Sequence, residues 1–140
     1  MVAKKLGAVR VINPREEDVT KIIMEATNGE GADLSVDAVG AGLTKRTSLD
    51  AIRPGGATVW IGLHENPMTF DSYNITLPEK QVLGTHAATI DELRQALDLM
   101  SAGKVDALSW VKQFSLVDGV TAFQRMLAAK GDDIKAVVCP

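Results

Sequence analysis

The stretch Gly29-Glu30-Gly31-Ala32-Asp33-Leu34-Ser35-Val36-Asp37-Ala38-Val39-Gly40 decides how the rest of the chain is interpreted. A glycine turn leads into a short apolar run of strand length, the run ends in small residues, and a helical pattern follows from Leu43. Strand, small-residue turn and helix form the repeating unit of parallel α/β sheets. Ligands of such sheets bind outside the carboxyl ends of the strands, where Ala38, Val39 and Gly40 are expected. Small side chains there would let a flat ligand approach the backbone.

The composition is that of an ordinary soluble globular domain. The 140 residues are 46% hydrophobic and 24% charged, and 18 acidic against 15 basic residues give a net charge of −3. No basic cluster indicates nucleic acid or a membrane surface, and no apolar run approaches the ~18 residues of a transmembrane helix. Met1 is not followed by a signal-peptide pattern, so we expect a cytoplasmic protein. The single Cys139 excludes an internal disulfide and provides no metal-ligand spacing.

The first half of the chain predicts alternating strands and helices. Val2 to Leu6 is typical of a last helical turn closed by Gly7. The expected strands and helices that follow, in chain order, are strand Val9 to Ile12, a helix carrying Val19, Ile22, Ile23 and Ala26, strand Leu34 to Val36, a helix from about Leu43 to Ile52, and strand Ala57 to Leu63. Arg53-Pro54-Gly55-Gly56 is expected to be a sharp stop and turn. This β-α-β-α-β order has the spacing of right-handed parallel crossovers.

The second half is less regular at first. Residues 73 to 79 fit either a helical turn or an extended piece. Thr89, followed three residues later by Glu92, predicts the start of an amphipathic helix that ends at Gly103. The other expected elements are strand Val82 to Thr85, strand Trp110 to Phe114, a helix spanning Val117 to Leu127 with Gly131 after it, and strand Ile134 to Val138.

Six pieces of the sequence stand in the order of a known family. They are "KLGA" (5–8), "VINP" (11–14), "DAVG" (37–40), "RPGG" (53–56), "IGL" (61–63) and the closing helix and strand. In this order the chain resembles the medium-chain, zinc-type alcohol and polyol dehydrogenases, over essentially all 140 residues. The resemblance implies an NAD(P)-dependent oxidoreductase that passes hydride between a secondary alcohol or polyol and a nicotinamide coenzyme.

The chain also departs from that family. The family has a glycine-rich strand-turn-helix and a ribose-binding acid before "KKLGA", and further upstream a catalytic domain with Cys, His and Glu ligands for zinc. None of these is present, so the chain resembles the C-terminal part of such an enzyme, with zinc only in the absent domain. We expect an α/β fold, a partial doubly wound (Rossmann-like) parallel sheet lacking its first βαβ unit. Residues 1–87 would form the nucleotide-binding part, and residues 88–140 would pack on the absent catalytic domain.

The resemblance also implies which residues contact the coenzyme, NAD or NADP. The nicotinamide end would be bordered by Ala38, Val39, Gly40, Ile61, Gly62, Leu63 and Thr85. Backbone carbonyls and small apolar groups at adjacent strand ends suit a carboxamide and a flat ring. The family has a basic residue that contacts the coenzyme pyrophosphate at the position of Lys135. An ordinary solvent-exposed lysine beside a strand is an equally weighted interpretation of Lys135.

Three other constellations have an ordinary interpretation beside the functional one. Gly40 to Lys45 resembles the glycine-rich fingerprint of dinucleotide-binding turns, but Lys45 stands where the third glycine is expected. Three interpretations follow: a pyrophosphate loop, an ordinary turn into a helix, or, by the resemblance, a turn that flanks the nicotinamide. Asp37 is either a catalytic acid or, more commonly for such a carboxylate, a hydrogen-bond partner of nearby backbone or of a charged neighbour. His64, His86 and Cys139 match no zinc spacing, although His86 could line the ligand cleft. No catalytic or metal-ligating residue is assigned.

Two functions from different classes follow. The first is the coenzyme-binding portion of a zinc-type dehydrogenase, inactive alone. The second is a non-catalytic, self-associating fragment or interaction module. Without its first βαβ unit, the sheet would expose an edge along Leu34 to Val36, which Val9 to Ile12, the C-terminal segment or a second copy would cover. Dimers of the family pair an irregular strand that here lies near Met68 to Phe70. We therefore expect a homo-oligomer, most simply a two-fold dimer.

Overall fold

The computed structural model describes residues 2–128 and 134–140. The elements in chain order are α1 (Val2–Lys5), α2 (Val19–Ala26), β1 (Ala32–Asp37), α3 (Gly42–Asp50), β2 (Ile52–Trp60), α4 (Tyr73–Thr76), β3 (Gln81–Gly84), α5 (Ile90–Ser101), β4 (Val111–Ser115), a 3₁₀ turn (Leu116–Asp118), α6 (Gly119–Ala128) and β5 (Lys135–Cys139). The chain divides into two compact units, one spanning Ile12–Ala87 and one combining Met1–Val11 with Ala88–Pro140.

The unit spanning 12–87 is built on a three-stranded parallel sheet in the order β1-β2-β3. The ladders align Asp37 with Trp60 and Trp60 with Gly84, so all three strands end at one level. A parallel sheet with helical crossovers is the α/β fold predicted from the sequence, and the prediction is confirmed. The carboxyl ends of the strands therefore meet along a single edge.

Helix α3 covers one face of this sheet through a small buried core. Leu49, Ala51 and Ile52 are buried in it, together with Ser48 and Thr58. The Ser48 hydroxyl donates to the carbonyl of Lys45 (2.7 Å) and accepts from Thr58 Oγ1 (3.0 Å) and Trp60 Nε1 (3.1 Å). Because these buried polar groups satisfy one another, α3 is held in one position on β2.

The helix predicted to carry Val19, Ile22, Ile23 and Ala26 is present as α2. Asp18 caps the helix by accepting from the Lys21 amide at 3.0 Å, and Ile22 is its buried residue. Asn28 and Gly29 follow the helix with φ of +54° and +87°, as the asparagine–glycine stop predicts.

The predicted strand Val9 to Ile12 is wrong. These residues have no strand structure, and Val9 is 98% exposed. A strand requires a ladder partner, and β1 stands at the end of its sheet without Val9 to Ile12 beside it. Val9 to Ile12 therefore do not pair with the edge of β1, which was one of the three expected ways to cover it.

The predicted turn at Arg53 to Gly56 is also wrong, because β2 runs through it from Ile52 to Trp60. The ladder jumps from Ala32–Ile52 to Leu34–Ala57, so the extra residues of β2 form a bulge with Gly55 at φ +69°. The strand ends at Trp60, and Ile61 to Leu63 are irregular instead of extended. Helix α3 correspondingly ends at Asp50 rather than near Ile52.

In residues 73–79, for which the sequence left a helical turn or an extended piece open, the structure has the helical turn α4.

The second unit contains the parallel pair β4–β5 and helices α1, α5 and α6. Helix α5 begins with the predicted capping box: the Glu92 amide donates to Thr89 Oγ1 (3.3 Å), and the Thr89 amide donates to Glu92 Oε2 (2.7 Å). Val2, Leu6 and Trp110 of this unit line one small pocket. The predicted Gly131 lies outside the described residues.

The apolar face of α5 is largely exposed, including Leu93, Leu97 and Met100. Its amphipathic pattern was recognised from the sequence, but its apolar side chains do not form a buried core in the described structure. Within the described ranges, no helix has both the length and the apolar character needed to cross a bilayer.

We predict that Leu49→Ala lowers the free energy of unfolding by about 2–5 kcal/mol, because it leaves a cavity between α3 and the sheet. The matched control is Leu43→Ala on the same helix, whose side chain is exposed. Urea denaturation followed by circular dichroism measures both. Equal effects of the two substitutions would contradict the packing described here.

Candidate functional site

Seven of the eight residues expected to contact a coenzyme come together at the carboxyl edge of the sheet. Ala38 to Gly40 follow β1, Ile61 to Leu63 follow β2, and Thr85 follows β3. The eighth, Lys135, is the first residue of β5 in the other unit and pairs with Val111. We call residues 37–40 the first segment and residues 61–65 the second segment.

The two segments continue the contact between β1 and β2 beyond the regular ladder. The amides of Ile61 and Gly62 both donate to the carbonyl of Asp37, at 2.9 and 3.0 Å. Further along, the amide of His64 donates to the carbonyl of Val39 at 3.3 Å, and the amide of Glu65 donates to the carbonyl of Gly40 at 2.9 Å. The segments therefore run side by side with their backbones in direct contact.

Two glycines make this contact sterically possible. A Cβ atom on Gly40 would lie 2.1 Å from the carbonyl carbon of Gly62, and one on Gly62 would lie 2.1 Å from the amide nitrogen of Gly40. Gly40 also has φ of +83°, which disfavours any L side chain. Both positions need glycine because backbone lies where a side chain would begin.

Asp37 shapes the first segment from inside. Its side chain is 4% exposed, with Oδ1 accepting from the Val39 amide (3.2 Å) and Oδ2 accepting from the Gly40 amide (2.9 Å). Of the two interpretations considered from the sequence, the hydrogen bond to nearby backbone is the one observed. The carboxylate fixes the turn through which the chain leaves β1.

The N-terminus of α3 is closed by a residue that the sequence did not reveal. The amide of Gly42 donates to Glu65 Oε2 at 2.7 Å, and Lys45 Nζ donates to the Glu65 carbonyl at 3.2 Å. The N-cap residue of the helix, Ala41, makes no side-chain capping bond. In a pyrophosphate loop, the first amides of the helix would donate to the phosphate. Here the Gly42 amide already donates to the Glu65 carboxylate, so the geometry disfavours the pyrophosphate interpretation of Gly40 to Lys45.

Apolar side chains project to solvent around the two segments. Val39, Ile61 and Leu63 are each substantially exposed, Leu63 by 75%. The amide of Thr85 donates to the carbonyl of Trp60 at 3.1 Å, and this hydrogen bond joins the end of β3 to the end of β2. We call Val39, Ile61 and Leu63 the apolar rim, and it is the part of the site able to contact a flat ring.

A groove of about 740 Å³ lies next to the first segment, in the same unit. Its lining includes Ile12, Ile23, Val36, Val39 and Leu43. Sequence reasoning expected an open edge here, and β1 does stand at the end of the sheet with Leu34 58% and Val36 54% exposed. The groove itself was not predicted, since it arises from the packing of α2 and α3.

The side chains that could ligate a metal are dispersed. His64 and His86 are exposed, and Cys139 is partly buried in the other unit. No group of three or more His, Cys, Asp or Glu in the part of the chain that the structure describes could hold a metal ion. These residues do not fit a zinc centre, and no chemical step through zinc is derived from them.

Comparison with known proteins gives the family. A family model described as zinc-binding dehydrogenase matches residues 1–102, and the chain belongs to this family. It is 30% identical over 139 residues to D-arabitol-phosphate dehydrogenase of Enterococcus avium, covering 98% of this chain and 39% of that protein. It is 31% identical over 134 residues to D-xylulose reductase A of Aspergillus oryzae, covering 92% of this chain and 37% of that protein. The recognition made from the motifs is confirmed.

The fold comparison agrees. The solved structure of alcohol dehydrogenase TADH from Thermus sp. ATN1 matches with a TM-score of 0.87 at 24% identity, covering 98% of this chain and 41% of that chain. At that identity the likeness concerns the fold. The chain spans about two fifths of the length of the curated relatives given above.

We predict that Gly62→Ala lowers the free energy of unfolding by about 1–3 kcal/mol, because a methyl group would overlap the backbone at Gly40. Gly84→Ala is the matched control, since a Cβ at that strand end would meet nothing within 4 Å. Thermal and urea denaturation of both variants measure the difference. A Gly62→Ala protein as stable as Gly84→Ala would show that the segments are not in contact.

Proposed function

We propose that this chain forms the nicotinamide end of the coenzyme site of a zinc-type, NAD(P)-dependent dehydrogenase. The observation that carries the proposal is the pair of backbone segments in contact at the carboxyl edge of a parallel sheet, bordered by the apolar rim. In this fold, ligands bind at that edge. Membership of the zinc-binding dehydrogenase family supports the same assignment.

The residues have separate roles in the proposal. Ala38, Val39 and Gly40 border one side of the nicotinamide, and Ile61, Gly62 and Leu63 border the other, with Thr85 beside them. Backbone groups and apolar side chains at adjacent strand ends suit a carboxamide and a flat ring without adding competing chemistry. Lys135 would contact the coenzyme pyrophosphate. Because α3 presents its N-terminus to Glu65, the phosphates are assigned elsewhere.

The activity proposed for the whole protein is hydride transfer between a secondary alcohol or polyol and the nicotinamide. The names of two relatives, a D-arabitol-phosphate dehydrogenase and a D-xylulose reductase, support a polyol-type substrate. Zinc would be held outside this chain, in a catalytic domain on which residues 88–140 pack. The exposed apolar face of α5 supports that packing. A cytoplasmic location belongs to the same proposal.

We predict that the isolated chain does not oxidise alcohols and binds NAD or NADP without saturation at micromolar concentration, since the glycine loop that anchors the pyrophosphate is not among its motifs. At millimolar coenzyme, NMR amide shifts should concentrate at Val39, Gly40, Ile61, Leu63 and Thr85. Zinc-dependent alcohol oxidation by this chain would contradict the first expectation. Shifts confined to other residues would contradict the site.

A second candidate function is self-association without catalysis. It is favoured by the uncovered edge of β1, where Leu34 and Val36 are exposed beside the groove. Exposed edges pair with other strands, and burial of several aliphatic side chains at ~1.5–3 kcal/mol each would exceed the cost of ordering one interface. A two-fold homodimer through β1 would pair the exposed strand edge and bury these side chains. The segment near Met68 to Phe70 is the alternative interface.

We predict a dimer in sedimentation equilibrium at micromolar concentration. Val36→Lys should shift the population to monomer if β1 is the interface, because it places a charge at the centre of the exposed edge. Met68→Lys tests the alternative interface in the same way. A folded, monodisperse wild-type monomer would contradict the proposal of self-association.

A further inference from the structure

Glu65 makes three contacts with the turn that leads from β1 into α3. Its amide donates to the carbonyl of Gly40 (2.9 Å), its side chain accepts from the amide of Gly42 (2.7 Å), and its carbonyl accepts from Lys45 Nζ (3.2 Å). The three partners lie 20 to 25 residues earlier in the chain, so these contacts depend on the tertiary fold. No other residue of the second segment contributes both its backbone and its side chain to this turn within the described hydrogen bonds.

The position of the carboxylate has an electrostatic consequence. The first amides of a helix are unpaired and carry partial positive charge, which makes a helix N-terminus attractive to anions. In α3 the Gly42 amide is already engaged by an anionic side chain of the same chain. A second anion, such as a coenzyme phosphate, would lose that donor and meet a like charge.

The same contacts also determine the spacing of the apolar rim. Val39 lies on the first segment and Ile61 and Leu63 on the second, so their separation depends on how closely the segments are held. Hydrogen bonds from Ile61 and Gly62 fix the beginning of the second segment, and Glu65 fixes its end. Loss of the Glu65 side chain would remove the bond to the Gly42 amide and leave the end next to Leu63 held only through backbone atoms.

We propose that Glu65 is a positioning residue that closes the N-terminus of α3 to phosphate and holds the second segment against the first. It thereby decides that this turn receives the nicotinamide end of the coenzyme and not a phosphate. The role toward nicotinamide rests on the proposed function. The closing of α3 and the holding of the segment are properties of this chain alone.

The experiment compares the wild type with Glu65→Ala, Glu65→Gln and a control, Glu25→Ala, which removes the same charge from an exposed position on α2. Amide hydrogen exchange and amide chemical shifts are measured by NMR. In Glu65→Ala, exchange of the Gly42 amide should be about fivefold faster, because a capping hydrogen bond is lost. Glu65→Gln keeps an acceptor oxygen and should restore slow exchange. The control should match the wild type.

The second measurement is a titration with inorganic phosphate. The wild type and Glu25→Ala should show no saturable shift at the amides of residues 42–44, whereas Glu65→Ala should show one, because the freed Gly42 amide can then donate to the anion. Glu65→Gln should show weaker binding than Glu65→Ala, since its acceptor still engages Gly42. If Glu65→Ala exchanges and binds phosphate like the wild type, the proposal is overturned.

The third measurement separates this proposal from the proposed function. Nicotinamide riboside, a probe without phosphate, should shift Val39, Ile61 and Leu63 in the wild type and in Glu65→Gln, and at least several-fold less in Glu65→Ala. Absence of any shift in the wild type contradicts the coenzyme site and leaves the exchange and phosphate results to decide the role of Glu65. Equal shifts in the wild type and Glu65→Ala overturn its role in positioning the rim.

Discussion

The close contact between the backbones of Gly40 and Gly62 is the constraint on which the site depends. Side chains on either residue would overlap the opposite backbone, so the chain can leave β1 and β2 in this way only with glycine at both positions. The contact allows hydrogen bonds from the second segment to the carbonyls of Asp37, Val39 and Gly40. The two segments that leave β1 and β2 are thereby joined along one edge by backbone hydrogen bonds, and preorganisation of the proposed ligand site would require such a connection.

The buried core connects to this edge through α3. Ser48 joins the helix to Thr58 and Trp60 of β2 through its buried hydroxyl, which accepts a hydrogen bond from each of them. One turn earlier on the same helix, Lys45 reaches the carbonyl of Glu65 and lies 5.8 Å from the centre of the Trp60 ring. The packing that stabilises the unit therefore also sets where α3 begins relative to the second segment.

Local signals in the sequence were sufficient for some elements and insufficient for others. The Thr89–Glu92 capping box and the apolar run of β1 act within a few residues, and both were predicted correctly. Val9 to Ile12 has the same strand-like composition, but a strand forms only beside a partner, which composition does not specify. The bulge at Arg53 to Gly56 was missed because glycine and proline are typical of turns and bulges alike. Glu65 was missed because its partner, Gly42, is 23 residues away and no motif joins them.

The two proposed functions meet at Val39. This side chain belongs to the apolar rim and also lines the groove beside β1, so whatever covers the groove would border the place assigned to the nicotinamide. The groove is apolar in large part and adjoins an uncovered strand edge, which suits a strand better than a small polar ligand. If both proposals hold, coenzyme binding and association are coupled, because a chain covering the β1 edge would bury one side of Val39 and form a wall beside the apolar rim. In parallel sheets the ligand lies outside the carboxyl ends of the strands. A strand paired with β1 would therefore border the same site from the side opposite β2.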